Sequence, residues 1–305
     1  LPQQGWDCDG LAATIAQTAP RLAWLMPDFH NPTGRCMDAP TRQRVADIAA
    51  RTRTTLVIDE TMADLWYNAP PPPPLASFNP DAAVLTIGSA GKSFWGGLRI
   101  GWIRASARTI ASLIQARDSL DLGTPLLEQL ACSWLLENAA TLLPPRLRIG
   151  WIRASARTIA SLIQARDSLD LGTPLLEQLA CSWLLENAAT LLPPRRNMLK
   201  ARRDMCETLM AEYFPRWRFS PPEGGLSFWV ELPDMLATLF SARAESQGIH
   251  IGTGTRFGLE GAFDRYLRLP FTLPDEALRR AFSTLQPLWQ SLAEQKENTR
   301  LRKII

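Results

Sequence analysis

The chain has 305 residues, 46% of them hydrophobic, which is enough to build one large domain or two ordinary ones. Its formal net charge of +3 is too small to argue for a nucleic acid or an acidic membrane as partner. It holds no apolar stretch of the roughly 18 residues that a transmembrane helix needs, and two histidines, His30 and His250, exclude a histidine-rich metal site.

The cysteines indicate a compartment, not a site. There are five of them, and their spacing is neither that of a disulfide framework nor that of a CxxC motif. Disulfides persist in oxidising compartments and are rare in the cytosol. The simplest context for this chain is therefore a reducing cytoplasm, and we expect no signal peptide.

Three short apolar runs in the N-terminal third predict strands, at residues 21–26, 54–60 and 82–87. Each run leads into polar residues: PDFHNPTG after the first, Asp59 and Glu60 at the end of the second, and GSAGK after the third. Polar side chains at the carboxyl ends of strands in an open α/β sheet converge on one crevice. We therefore expect these three segments to meet there.

Lys92 is the residue of this crevice that most suggests chemistry. The chain has only four lysines against 29 arginines, and this one follows a buried strand among Gly, Ser and aromatic residues. An amine in a partly apolar site is more readily neutral, and the neutral form attacks a carbonyl to give a Schiff base. The alternative for Lys92 alone is a solvated loop lysine.

The neighbours of Lys92 favour a site for pyridoxal 5'-phosphate. Such a site needs a lysine that bonds to the cofactor, an acid for the pyridine nitrogen, a polar group near the ring hydroxyl, and phosphate donors. The chain supplies these groups in one order, at Asn31, Asp59, Ser89, Lys92 and Arg99.

Residues 20 to 104 resemble the core of the fold-type I pyridoxal-phosphate enzymes, the class I/II aminotransferase superfamily. The stretches PDFHNPTG, LVIDE and TIGSAGKSFWGGLRIGW most resemble the aminotransferase-like domain of MocR-type regulators of the GntR group. The resemblance implies an α/β large domain, with a mixed and mostly parallel sheet between helices, and a smaller α+β C-terminal domain. It also implies a homodimer.

The same resemblance implies a role for each residue of the crevice. Lys92 would carry the internal aldimine, and Asp59 would pair with the pyridinium nitrogen. Asn31 would hydrogen-bond the ring oxygen, while Ser89 and Arg99 would hold the phosphate.

Two positions depart from the family pattern. The family usually has Ser just before the lysine, where this chain has Gly91. A tyrosine often follows the aspartate closely, where this chain continues with Glu60, Thr61 and Met62. One phosphate donor and one contact to the ring oxygen are therefore missing from the pattern.

A long internal repeat follows the crevice. Residues 98–146 recur without one change at 147–195. Lys92 precedes Arg99 by seven residues, and the matching place before Arg148 holds Thr141. Solenoid repeats diverge and come in threes or more, so two identical copies indicate a recent in-frame duplication or a sequence-assembly error. We expect the fold to accommodate one copy of this repeat in its core and the other copy to pack loosely or protrude. The alternative is a functional tandem module.

The remaining pattern predicts a small α+β domain. It has helices at 195–213, 234–247 and 275–294, and strands at 226–230, 249–251 and 265–271. We therefore predict a partial large domain at 1–195 and a small domain at 196–305. By resemblance to the aminotransferases, Arg268 in the segment RLPF would bind the α-carboxylate of the substrate. The alternative is an exposed strand arginine.

Three functions are compatible with these residues. The first is an aminotransferase that acts on an amino acid or keto acid through the Lys92 aldimine. The second is the effector-binding domain of a MocR-type transcription regulator that senses the same ligands, and the third is a non-functional fragment. By resemblance, a glycine-rich phosphate loop and a winged helix would precede residue 1, so we expect a fragment. We expect neither membrane binding nor direct contact with nucleic acid from this chain.

Overall fold

A computed structural model describes residues 5–95, 100–117, 149–152, 175–258 and 261–301. Contacts within the chain divide it into two compact units. The first comprises Leu1–Asp28, Cys36–Asp64 and Pro70–Pro193, and the second comprises Phe29–Arg35, Leu65–Ala69 and Pro194–Ile305. The domain division at residues 195 and 196 stays a prediction.

The first unit alternates strands and helices along the chain. Its described strands are β1 (Leu22–Leu25), β2 (Thr55–Asp59), β3 (Val84–Ser89), β4 (Ile100–Arg104) and β5 (Ile149–Ile152). Its described helices are α1 (Cys8–Thr18), α2 (Ala39–Thr52), α3 (Ala90–Ser93), α4 (Ala107–Arg117) and α5 (Leu175–Glu186). The three strands predicted before Lys92 are thus confirmed.

The five strands form one sheet in the order β1-β2-β3-β4-β5. β1, β2 and β3 are parallel to one another, β4 runs antiparallel to β3, and β5 runs parallel to β4. Because β1, β2 and β3 point the same way, their carboxyl ends lie along one edge of the sheet. The predicted mixed, mostly parallel sheet is confirmed.

Helices α1 and α2 cover this sheet with apolar side chains. Ile15 of α1 and Ile48 of α2 belong to the same buried cluster as Leu56 and Ile58 of β2. Both β2 side chains are 0% exposed, and burying one such side chain stabilises a fold by about 1.5–3 kcal/mol. Alternation cannot show on a strand buried on both faces, which is why β2 reads as a continuous apolar run.

The two copies of the repeat meet in the sheet. β4 belongs to the first copy and β5 to the second, and four residues of β4 lie opposite their own duplicates, from Ile100 with Ile149 to Ile103 with Ile152. These four residues of the second copy therefore have a place in the sheet. The expectation that one copy packs loosely falls mainly on residues 118–148 and 153–174, which lie outside the described residues.

The second unit is built on an antiparallel sheet. Its described strands are β6 (Arg218–Phe219), β7 (Ser227–Glu231), β8 (Gly252–Thr253) and β9 (Tyr266–Pro270), in the order β6-β7-β9-β8. The described helices after α5 are α6 (Ala188–Tyr213), α7 (Ala237–Glu245) and α8 (Asp275–Leu301). α6 begins at Ala188, before Pro193 and Pro194, whereas the sequence predicts that this helix begins at residue 195.

One predicted strand of this unit is wrong. The run at 249–251 is not a strand, because the N–H of Ile249 still bonds to the carbonyl of Ala244 at 3.0 Å, as part of the end of α7. The strand starts at Gly252, opposite Arg268. A short apolar run that closes a helix and one that forms a strand have the same pattern.

Aromatic side chains fill the core of the second unit. Trp217 stacks on Phe214 with ring centroids 3.9 Å apart, and its edge meets Trp289 at 5.3 Å and Phe240 at 5.7 Å. Edge-to-face contacts of this kind contribute beyond the area they bury. Within the described part of the chain, none of the helices has both the length and the apolar character required to cross a bilayer.

Candidate functional site

The first unit brings three of the predicted site residues to one edge of its sheet. Asp59 ends β2, Ser89 ends the parallel strand β3, and Lys92 follows on the single turn α3. Asp59 lies opposite Ile87 in the register of the two strands. The three residues thus share the carboxyl edge of the sheet, while the crevice itself stays a prediction.

Asp59 is a half-buried carboxylate with one hydrogen bond. Its Oδ1 accepts from the backbone N–H of Thr61 at 3.0 Å. Among the described residues, no lysine or arginine side chain forms an ion pair with it. A carboxylate that is partly withdrawn from water without a cation is ready to pair with a positively charged group of a ligand.

The backbone around Lys92 is held by its neighbour. Ser93 is 1% exposed, and its hydroxyl donates to Oδ2 of Asp64 at 2.7 Å. The N–H of Phe94 bonds to the carbonyl of Ala90 at 2.9 Å and closes the turn. Lys92 itself is exposed. Sequence reasoning missed Asp64, because a single acid five residues after Asp59 carries no signal of its own.

A close contact behind this turn requires glycine. Gly88 lies opposite Trp102 in the β3–β4 register, and a Cβ on Gly88 would lie 2.0 Å from Cε2 of Trp102. Trp102 also packs against a buried pair formed by Ala90 of α3 and Cys181 of α5. Gly88 was predicted only as the boundary of a strand, and its tight packing depends on a residue 14 positions later that the pattern does not indicate.

A buried ion pair supports the same edge from the neighbouring strand. Arg42 of α2 is 0% exposed and pairs with Asp28, which follows β1. Its Nε and Nη1 donate to the carbonyls of Met37 at 2.9 Å and Pro73 at 3.2 Å. Burial raises the pKa of Asp28 and outweighs the opposing effect of Arg42. Sequence reasoning missed this pair, because neither residue lies in a motif that links them.

Glu60 is the unexpected carboxyl of the site. Its Oε1 is buried and has no hydrogen-bond partner among the described residues. Burial, followed by the charge of Asp28, raises the pKa of Glu60 from 4.5 to about 7. This residue stands directly after Asp59, so a carboxyl that readily holds a proton lies next to the acid of the predicted cofactor site.

The roles expected for Asn31 and Arg99 stay predictions. Asn31 is exposed, on a turn of the second unit in which the N–H of Gly34 bonds to the carbonyl of His30 at 2.6 Å. Burial lowers the pKa of His30 to about 4, so that this ring is neutral near pH 7. Arg99 lies outside the described residues.

Arg268 lies in the second unit, on β9. It is half-buried, between Trp229 and Gly252 in the sheet, and its Nε donates to Oγ of Ser227 at 3.4 Å. No carboxylate in the described part of the chain pairs with it. Burial lowers the pKa of this guanidinium. A half-buried arginine without an acid can accept the carboxylate of a ligand, which is the role predicted for Arg268.

The family comparison agrees with these motifs. The family model described as aminotransferase class I and II matches residues 2–138. The chain is 25% identical over 296 residues to 2-aminoadipate transaminase of Thermus thermophilus, covering 94% of this chain and 62% of that protein. It is 31% identical over 136 residues to the uncharacterized HTH-type transcriptional regulator YisV of Bacillus subtilis, covering 44% of this chain and 28% of that protein.

A solved structure shows the same fold. The chain superposes on LysN, the α-aminoadipate aminotransferase of Thermus thermophilus complexed with N-(5'-phosphopyridoxyl)-L-leucine, with a TM-score of 0.69 and 22% identity. The match covers 96% of this chain and 65% of that one, so the chain spans less than two thirds of these relatives. These matches show that the chain has the fold of these aminotransferases and that residues 2–138 are similar to the class I and II aminotransferase family.

Proposed function

We propose that this chain is a pyridoxal-phosphate-binding aminotransferase domain that acts on an amino acid through Lys92. The observation that carries the proposal is that an exposed amine, Lys92, and a half-buried carboxylate, Asp59, follow neighbouring strands to one sheet edge, and that no lysine or arginine among the described residues forms an ion pair with Asp59. The matches to aminotransferases support it. The substrate, the homodimer and the cytoplasmic location belong to the proposal as well.

The residues present fit the cofactor. Asp59 offers a carboxylate to a protonated ring nitrogen, and its only hydrogen bond within the described residues comes from a backbone N–H, which leaves acceptor capacity free. Ser89 offers a hydroxyl to the phosphate at the end of the adjacent strand. When bound, pyridoxal phosphate supplies an electron sink that weakens the bonds at the Cα of an amino acid. The roles of Asn31 and Arg99 remain predictions.

Each of three side chains has a separate task. Nζ of Lys92 provides the amine of the site and a base that can hold and move a proton. The Asp59 carboxylate stabilises positive charge on the group that it faces. Arg268 provides a planar guanidinium that binds a carboxylate through two parallel hydrogen bonds.

A second candidate is an effector-binding domain of a transcription regulator. The observation that favours it is the 31% identity to YisV over 136 residues. A sensor and an enzyme use the same lysine and the same acid, so the geometry around Asp59 is equally compatible with both. They differ in turnover: a sensor binds the amino acid without releasing a keto acid.

The test is reductive labelling of the whole chain. The protein is incubated with pyridoxal phosphate and reduced with borohydride, and the labelled peptide is mapped. We expect the label at Lys92 and its loss in Lys92→Ala. Lys296→Ala is the control, because its amine is paired with Asp234 at 2.7 Å. Label mainly at Lys200, Lys296 or Lys303 would contradict the proposal.

Turnover then separates the two candidates. Unreduced protein that has been loaded with pyridoxal phosphate is mixed with a panel of amino acids and a keto acid. Release of a new keto acid is measured by mass spectrometry. Release that depends on Lys92 supports the aminotransferase. Spectral change of the bound cofactor on adding an amino acid, without any release, supports the sensor. Light scattering tests the homodimer.

A further inference from the structure

A groove on the second unit has no role in the site described above. It has a volume of about 460 Å³, and its lining includes three arginines, Arg216, Arg218 and Arg265, with one acid, Glu231, and the ring of Trp217. Pockets of roughly 300–1,000 Å³ are the size that binds small molecules. We call this surface the arginine groove.

Two of these arginines flank Trp217 in the chain. Arg216 lies in the turn that the N–H of Trp217 closes on the carbonyl of Phe214 at 2.9 Å, and Arg218 is the first residue of β6. Trp217 is 5% exposed and stacks on Phe214 at 3.9 Å. Both arginines are exposed. The buried indole thus fixes the backbone from which the two guanidinium groups extend.

Hydrogen-bond donors in the groove outnumber the acceptors that face them. Arg265 is paired with Glu231 at 3.8 Å, a long distance for an ion pair. Arg218 lies opposite Glu231 in the β6–β7 register, yet neither it nor Arg216 has an ion pair or a side-chain hydrogen bond among the described residues. Each guanidinium carries five N–H donors and no acceptor.

Trp217 adds one more donor without an acceptor. Its Nε1 is buried and has no hydrogen-bond partner within the described part of the chain. Buried polar atoms are nearly always bonded, so a single orphan among the lining residues of the groove is unusual. Because this indole packs in the aromatic core, the donor lies behind the groove, and the excess of donors and positive charge at the groove itself comes from the arginines.

We propose that the arginine groove binds a small dianion, either a phosphate group or a dicarboxylate. Two guanidinium groups without acids match two negative charges, and arginine forms bidentate hydrogen bonds with phosphate as well as carboxylate. The groove residues are distinct from Asp59, Lys92 and Arg268, although Arg265 lies three residues before Arg268, so the inference does not depend on the proposed function. The ligand is an effector or a second substrate group, not the cofactor.

The test uses the full chain saturated with pyridoxal phosphate, which occupies any cofactor phosphate site. Binding of inorganic phosphate is measured by line broadening of its ³¹P signal, and binding of succinate is measured by saturation-transfer NMR. We expect a Kd on the order of 1 mM for at least one of them. The double variant Arg216→Gln/Arg218→Gln should weaken binding about tenfold or more, since hydrogen bonds to charged groups are lost. Exposed arginines of this kind can be replaced with little effect on folding.

Arg279→Gln on α8 is the matched control, since this arginine is exposed and lies outside the groove. Binding of phosphate alone assigns a phosphate ligand, and binding of succinate alone assigns a dicarboxylate. Equal affinity of the parent, the double variant and the control would overturn the proposal, and so would the absence of binding. If a short DNA duplex bound with higher affinity and displaced the anion, the proposal would be wrong and the groove would be a nucleic-acid-binding surface.

Discussion

Cys181 packs against Ala90, two residues before Lys92, although the two belong to segments of different origin. Ala90 precedes the repeat, whereas Cys181 lies in its second copy. The strand β4, whose Trp102 packs against the same pair, comes from the first copy. The described support of the candidate lysine is therefore a hybrid of both copies.

Deletion of residues 147–195 should stabilise the protein. The deletion joins Arg146 to Arg196 and leaves one copy, whose Cys132 has the same neighbours in sequence as Cys181. Apolar faces of a surplus unit cannot all be buried in one core, and exposed apolar patches favour association. We expect a higher Tm, slower limited proteolysis and less aggregation, measured by calorimetry, trypsin digestion and light scattering.

The deletion also tests the alternative of a functional tandem module. Because the two copies are identical, removing 98–146 gives the same protein and no separate variant is needed. Borohydride labelling at Lys92 serves as the control that the site persists. A Tm equal to or below that of the parent would mean that both copies are packed.

Asp59→Asn should weaken the chemistry of the cofactor more than its retention. An amide cannot carry the negative charge that stabilises a protonated ring nitrogen, and breaking a desolvated pair costs about 3–5 kcal/mol. We expect amino-acid turnover, or the spectral response, to fall by at least about a hundredfold. Bound cofactor is measured in parallel by absorbance after desalting. Asp81→Asn, at an exposed turn of the same unit, should match the parent. Undiminished reaction in Asp59→Asn would remove Asp59 from the site.

Gly88→Ala should destabilise the first unit. The new Cβ would lie 2.0 Å from Trp102, so the indole or the strand has to move, and overpacking of this kind costs about 1–3 kcal/mol. Thermal melting should show a lower Tm, and labelling at Lys92 should slow because Trp102 supports Ala90. Gly252→Ala is the control, since its Cβ would meet the nearest atom at an ordinary 3.5 Å. Equal melting of Gly88→Ala and the parent would contradict the close contact.

Glu60 should make the stability of the fold depend on pH. Its folded pKa of about 7 lies above the ordinary value of 4.5, so the folded state holds the proton more tightly than the unfolded one. The stability gained in this way is complete below pH 4.5 and is lost as the pH rises towards 7. Between pH 4.5 and 7, Glu60 changes the free energy of unfolding by at most about 3 kcal/mol, because each unit of pKa difference corresponds to about 1.36 kcal/mol.

Glu60→Gln removes this titration. Urea unfolding of the variant should depend less steeply on pH between 4.5 and 7 than that of the parent. Asp28, whose pKa is also raised by burial, remains in both proteins and contributes equally. Glu212→Gln on the exposed side of α6 should keep the parental dependence. Parallel pH curves for Glu60→Gln and the parent would show that Glu60 titrates normally.

The sequence predicts what depends on local pattern. Short apolar runs were sufficient to predict β1, β2 and β3, and the polar residues at their ends were sufficient to predict that Asp59, Ser89 and Lys92 share one edge. Contacts that depend on distant pairs were not predictable. The Asp28–Arg42 pair, the bond from Ser93 to Asp64 and the packing of Trp102 on Gly88 arise only when the chain folds, because no spacing rule links those positions.

Because the two copies of the repeat have the same sequence, either copy can occupy the same position in the fold. The helix that meets Ala90 exists twice in the sequence, around Cys132 and around Cys181, with the same side chains each time. A chain that used the first copy there would differ in the length of the loop left over, and each doubling of a loop costs only about 0.6 kcal/mol. Side-chain chemistry therefore does not choose between the copies. The first substitution to fall in either one breaks this degeneracy and commits the topology to the other.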